Sequence, residues 1–214
     1  DLERRGLVWR GRAVPELEDA LILLTRSTVA IDAVAMLNMN DDAALKAVVV
    51  ASGQQALLVM QDRLAVRISP VRDTATVSSI VDVIPAGRPG SGHSVTLPAS
   101  ALGRGAGAAR RGDAPGAGSI GRAAVTPRNR SALDLVTAIM QRPVVAAGQF
   151  GITLRDPRGR VRRLPGVSWF DNEAGRYLNV VRRGTDGEDW ITLSPADNAR
   201  IAQRIAQELA GPGQ

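Results

Sequence analysis

One order of elements occurs twice along this 214-residue chain, and that duplication limits the fold more than any other feature. Ile68-Ser69-Pro70, followed by an amphipathic stretch that stops at Pro85, recurs as Leu193-Ser194-Pro195 and a stretch stopping near Gly211-Pro212. Upstream of each, a helix ends at Thr25-Arg26 or Gln141-Arg142, and four strand-like runs follow. Arg26 and Arg142 lie 116 residues apart while Ser69 and Ser194 lie 125 apart, so the second copy carries longer strands or turns. A unit of helix, four strands and helix, used twice, builds a broad sheet rather than an evident catalytic pocket.

The pattern within each copy supports this order. In the first, Pro15 marks a helix start, and Leu17, Ala20, Leu21 and Leu24 supply its apolar face to about Thr25. Residues 28–39, 44–51, 54–60 and 63–69 are strand-like, broken by turn chemistry at Asn40-Asp41, Ser52-Gly53 and Gln61-Asp62. Val77, Ile80, Val81 and Ile84 then fall at helical spacing. In the second copy a helix is expected over 131–142 and strands over 144–155, 160–169, 175–183 and 188–194. Short turns between successive strands require antiparallel meanders. Ser194, Pro195 and Asp197 suit an N-cap, a first helical position and an acid in the first turn, with Ile201, Ile205 and Leu209 facing inward. The expected fold is therefore α+β, a pseudo-two-fold duplication forming a central twisted antiparallel sheet with flanking helices. The chain divides into an N-terminal half (1–85), a connector (86–130) and a C-terminal half (131–214), together one domain.

Charge singles out the connector. Residues 86–130 hold 7 basic and 1 acidic side chain, against 9 and 11 in residues 1–85 and 11 and 9 in residues 131–214. Glycine, alanine and arginine dominate residues 103–126, which leaves little apolar area to offset ordering entropy, so mobility is expected there. The island from His93 to Leu102, with Ser94-Val95-Thr96-Leu97-Pro98, suits a short strand or extended segment on the sheet.

Residue types weigh against catalysis. Cysteine is absent and His93 is the one histidine, which removes thiolate chemistry and most acid–base, triad and zinc sites. No cofactor and no metal ligand set is expected. Gly116 to Gly121 fits a dinucleotide-binding spacing but lacks the strand, helix and distal acid such a site needs. Arg111-Gly112-Asp113 sits in a low-complexity tract, and Asp186-Gly187-Glu188-Asp189 lacks the alternating ligands of a calcium loop. No apolar run is long enough for a membrane span. The chain opens on Asp1 rather than Met, which suggests a fragment of a longer protein. Arg158, Arg160 and Arg162 share one strand face by parity, suited to a solvated edge or an acidic partner; nucleic acid ranks below these because stacking aromatics are sparse, at 3% of the chain. A basic nucleic-acid-binding module using the connector is the alternative function.

The stretch Asp171-Asn172-Glu173-Ala174-Gly175-Arg176-Tyr177-Leu178, with Asp186-Gly187-Glu188-Asp189-Trp190-Ile191-Thr192-Leu193-Ser194-Pro195, resembles the C-terminal signature of the EspG family, associated with ESX or type VII secretion in actinobacteria. Leu2 to Val8 before a Pro-Glu-Leu helix, Ala56 to Ile68, and His93 to Pro98 have counterparts there as well. The resemblance implies a cytoplasmic, non-catalytic chaperone that binds PE–PPE heterodimers and delivers them for secretion; homodimer formation stays open. It also places recognition on the sheet and adjoining loops, with Asn38 to Ala44 corresponding to a binding loop. The candidate contacts are Asn40, Asp41 and Asp42 in that loop, and Arg160, Arg162, Trp169, Arg176 and Tyr177 on the second-half sheet.

Overall fold

The computed structural model describes residues 2–62, 64–102, 127–185 and 187–211. A small hairpin, β1 (Val8–Trp9) and β2 (Arg12–Ala13), leads into α1 (Pro15–Arg26). Proline opens α1, where a missing N–H costs nothing, and Glu16 and Glu18 at its start and Arg26 at its end complement the helix dipole. The first meander follows as β3 (Val29–Met36), β4 (Leu45–Ser52), β5 (Gln55–Gln61) and β6 (Val66–Val71), then α2 (Thr76–Val81). After β7 (Val95–Pro98) the order returns as α3 (Pro127–Met140), β8 (Ala146–Arg155), β9 (Val161–Asn172), β10 (Gly175–Arg183), β11 (Asp189–Pro195) and α4 (Asn198–Ala210).

Nine strands form one sheet in the order β6-β5-β4-β3-β8-β9-β10-β11-β7, and each neighbouring pair is antiparallel. The two meanders join through β3 and β8, with Val29 opposite Leu154 and Met36 opposite Ala147. The expected duplication is thus present as an order of elements, fused through the first strand of each copy.

Strand alternation sorts the core into two layers. Ile31, Val49, Ile152, Val167, Leu178 and Val180 turn to one face, where α2 and α4 pack on each other and bring Ile80, Val81, Ile201 and Ile205. On the other face Val95, Leu97, Tyr177 and Leu193 meet Val136 and Ile139 of α3, and α1 packs across β4 and β5. Fully burying each such aliphatic side chain is worth about 1.5–3 kcal/mol.

Three expectations need correcting. Ser69-Pro70 and Ser194-Pro195 end strands rather than start helices: Pro70 sits opposite Leu57 and Pro195 opposite Tyr177. Proline lacks the ladder donor, so it is tolerated on edge strand β6 and at the last residue of β11. The cap of α4 is Asp197, whose side chain accepts the Arg200 N–H at 2.8 Å. On α1 the inward residue is Leu23, while Leu21 and Ile22 are exposed. The island near His93 does form a strand, β7, paired with β11 from Trp190↔Pro98 to Leu193↔Val95. The expectation for residues 103–126 lies outside the described residues.

Candidate functional site

The stretch Asp171–Tyr177 is a clamp built around the turn between β9 and β10. Arg176 is 1% exposed and forms a two-pronged ion pair with Asp171, Nε to Oδ1 and Nη2 to Oδ2, each 2.8 Å. Its remaining nitrogen donates to the carbonyl of Pro85 at 3.0 Å and to Asn198 Oδ1 of α4. Its guanidinium lies 4.4 Å from the ring centre of Trp169. One side chain therefore ties the end of the first copy to two elements of the second. Asn172 donates to the Ile139 carbonyl at 3.1 Å, holding the end of α3, and Arg142 pairs with Glu173 at 2.9 Å.

The connector runs over this clamp at close range. Arg176 N–H donates to the Arg88 carbonyl, Gly90 N–H donates to the Arg176 carbonyl, and Tyr177 Oη donates to the Ser91 carbonyl at 3.0 Å. A Cβ on Gly90 would lie 2.2 Å from the Tyr177 ring, and one on Gly87 would lie 2.5 Å from the Arg176 guanidinium carbon. Gly175, at φ +123, takes a conformation open to glycine and passes under the Pro89 carbonyl. The run that carried the sequence resemblance is thus explained by packing.

Three candidate contact residues are buried. Trp169, Arg176 and Tyr177 are interior, at 2%, 1% and 0% exposure, with Trp169 and Arg176 at the floor of a small cleft beside Leu37, Asn38 and Val145. Both faces of β9 and β10 are covered, Trp169 lying in the layer under α2 and α4 and Tyr177 in the layer under α3, so the aromatic area goes to the core and Arg176 is buried with its ion pair.

The other candidates stay on the surface, in two separated groups. Asn40, Asp41 and Asp42 lie exposed in the loop between β3 and β4, folded by the Asn38 side chain accepting Asn40 N–H at 3.0 Å. Beside them Met39 N–H donates to the Val145 carbonyl, and Leu37, Met39 and Val145 are exposed. Arg160 and Arg162 lie at the opposite end of the sheet, after the turn from β8 to β9. Arg160 pairs with Asp156 at 2.7 Å. That hydrogen bond, then the Arg160 backbone N–H, holds the Asp156 carboxyl below its ordinary range, with a smaller contribution from Arg158 N–H. Along β9 from Val161 to Phe170 the two ends are roughly 30 Å apart.

Sequence reasoning missed the concave feature. Between α3 and the sheet lies an open groove of about 460 Å³, lined by Val95 and Leu97 of β7, Leu133, Val136 and Met140 of α3, Phe170 of β9, and Ile191 and Leu193 of β11. Thr137, Gln141 and Asn179 are its polar members. Phe170 stacks on Tyr177 with ring centres 5.4 Å apart, which stiffens one wall. The signals were the shared parity of 177 and 179, and of 191 and 193, and the helical spacing of 133, 136, 137 and 140. The groove's volume fits a ligand or an inserted side chain. Among the described residues no group of acids or histidines could hold a metal, and no helix is long and apolar enough to cross a membrane.

Comparison with known proteins gives two findings. The EspG family matches residues 1–207. Among solved structures, the type VII secretion system chaperone EspG5 of Mycobacterium tuberculosis, in complex with a PE25–PPE41 dimer, has a similar fold, with a TM-score of 0.69. The likeness covers 99% of this chain and 83% of that one at 13% identity. No curated protein matches the sequence.

Proposed function

The chain belongs to the EspG family, and from that premise we propose that it is a chaperone of type VII secretion. It captures the apolar helical tip of a secreted PE–PPE-type heterodimer in the cytoplasm and keeps it soluble until export. Its work is binding, without a catalytic step. The observation that carries this reading is the groove under α3: an open apolar concavity of about 460 Å³ on a rigid sheet, with polar groups confined to a few positions. Such a cleft suits a few large anchors ringed by polar contacts, the usual distribution of binding energy at a specific interface. A complex of standard size buries about 800 Å² on each partner, so contact extends beyond the groove. The Asn38–Ala44 loop, with Asn40, Asp41 and Asp42 and the exposed Leu37 and Met39 beside it, is the second contact in this proposal. Arg160 and Arg162, at the far end of β9, fall outside the primary contact.

Co-expression with PE–PPE pairs from the same genome, followed by co-purification, tests the function. A stable complex of this chain with at least one pair is expected. Failure of every pair to bind the intact protein would remove the chaperone reading.

A further inference from the structure

The groove under α3 holds one polar atom whose chemistry is unanswered. Asn179 lines it, on β10 between Ser168 of β9 and Leu193 of β11. Its Oδ1 is buried and has no hydrogen-bond partner. Buried acceptors are ordinarily paired, and an orphan at the wall of an open cavity marks the place where a ligand's donor belongs. The surrounding walls are apolar, and Phe170, with its stacked neighbour Tyr177, gives them a flat aromatic component. The thioether of Met140, also lining the groove, favours an aromatic edge.

We propose that the groove selects an aromatic side chain carrying one N–H or O–H donor, a tryptophan or tyrosine at the tip of the captured partner, with that donor on Asn179 Oδ1. This rests on the chaperone reading for the identity of the partner, while the groove's chemistry is testable without one. A purely aliphatic anchor would fill the walls but forgo the hydrogen bond that a donor gains on the already buried, unpaired Oδ1, a difference of roughly five-fold in affinity. Indole and phenol rings satisfy both demands and lose few rotors on binding.

The test uses the full chain and three free probes followed by ligand-detected NMR: indole, 1-benzothiophene of the same shape without the donor, and 1-methylindole with the donor blocked. Indole is expected to bind, and the ratio of its affinity to that of benzothiophene should fall about five-fold in Asn179→Leu, a loss of one hydrogen bond. Methylation of the indole nitrogen should weaken binding by a similar factor in the unmodified protein, which keeps the test decisive if Asn179→Leu fails to fold. Equal binding of indole and 1-methylindole, no binding of any probe, or a ratio unchanged by Asn179→Leu would each overturn the proposal. Partner capture by a protein that ignores indole would overturn this inference alone. Indole selection without capture of any PE–PPE pair would instead remove the chaperone reading.

Discussion

The two copies of the repeat share an order of elements and differ in what surrounds them. In the first, α1 packs across β4 and β5, turns Leu21 and Ile22 outward, and leaves β6 as an open sheet edge. In the second, β7 covers the corresponding edge by pairing with β11, and α3 stands over β7 with a groove beneath it. The connector makes the difference: residues 85–91 lock onto Arg176 and Tyr177, and the chain that follows supplies β7 as a further groove wall. A connector that docks on a single copy thus gives that copy a groove wall the other lacks.

The largest effect should come from cutting that lock. Arg176→Ala leaves Asp171, 22% exposed, without its partner and opens a space beside Trp169. A loss of about 3 kcal/mol is expected in urea unfolding, whereas Gln55→Ala, at the exposed start of β5 in the first copy, should change stability by less than about 0.5 kcal/mol. Equal, small effects would mean that the connector lock does not distinguish the copies.

Gly90→Ala should come next. Its Cβ would meet the Tyr177 ring at 2.2 Å, so ring or connector must shift, at about 1–3 kcal/mol. Gly53→Ala, in the hairpin between β4 and β5, meets nothing within 4 Å and suffers only the strain of φ +59, a smaller loss. Thermal unfolding of both variants checks the order.

The smallest effects concern two turn aspartates. Asp156 in the second copy is held low chiefly by the Arg160 side chain, whereas Asp62 in the first is held low chiefly by the backbone N–H groups of Leu64 and Ala65. Arg160→Gln should therefore raise the Asp156 titration midpoint towards the ordinary carboxylate value near 3.8, while Arg67→Gln should barely move Asp62. Carboxyl NMR titration reads both. Because the folded pKa is depressed, any stabilisation from these groups is present above the unfolded value and lost as pH falls through the folded one. Both aspartates lie at the solvent-exposed surface, so unfolding midpoints should not register the change.

The sequence made the repeat, the meanders and β7 legible because each rests on local signals: period-two alternation, turn residues and helical spacing. It misled where two environments use the same residues. Ser-Pro suits both a helix start and a strand end, and only the ladder opposite Tyr177 decides for Pro195. Trp169 and Tyr177 suit both a surface anchor and a core, and the answer depends on α4, α3 and the connector, distant in sequence. The groove was invisible for the same reason, since its walls come from β7, α3, β9, β10 and β11. Asn179, one polar residue among Tyr177, Leu178, Val180 and Val181, was the local hint.

Capture by the second copy is tested most directly by retention of a co-expressed PE–PPE pair on two variants, one in each copy. Thr137→Trp places a large side chain at the groove, on an exposed helix position, and should weaken retention at least about ten-fold with little change in folding. Leu21→Glu combined with Ile22→Glu alters the exposed face of α1 and should leave retention intact. Full retention by Thr137→Trp, or loss confined to the α1 variant, would contradict the assignment of the binding site to the groove.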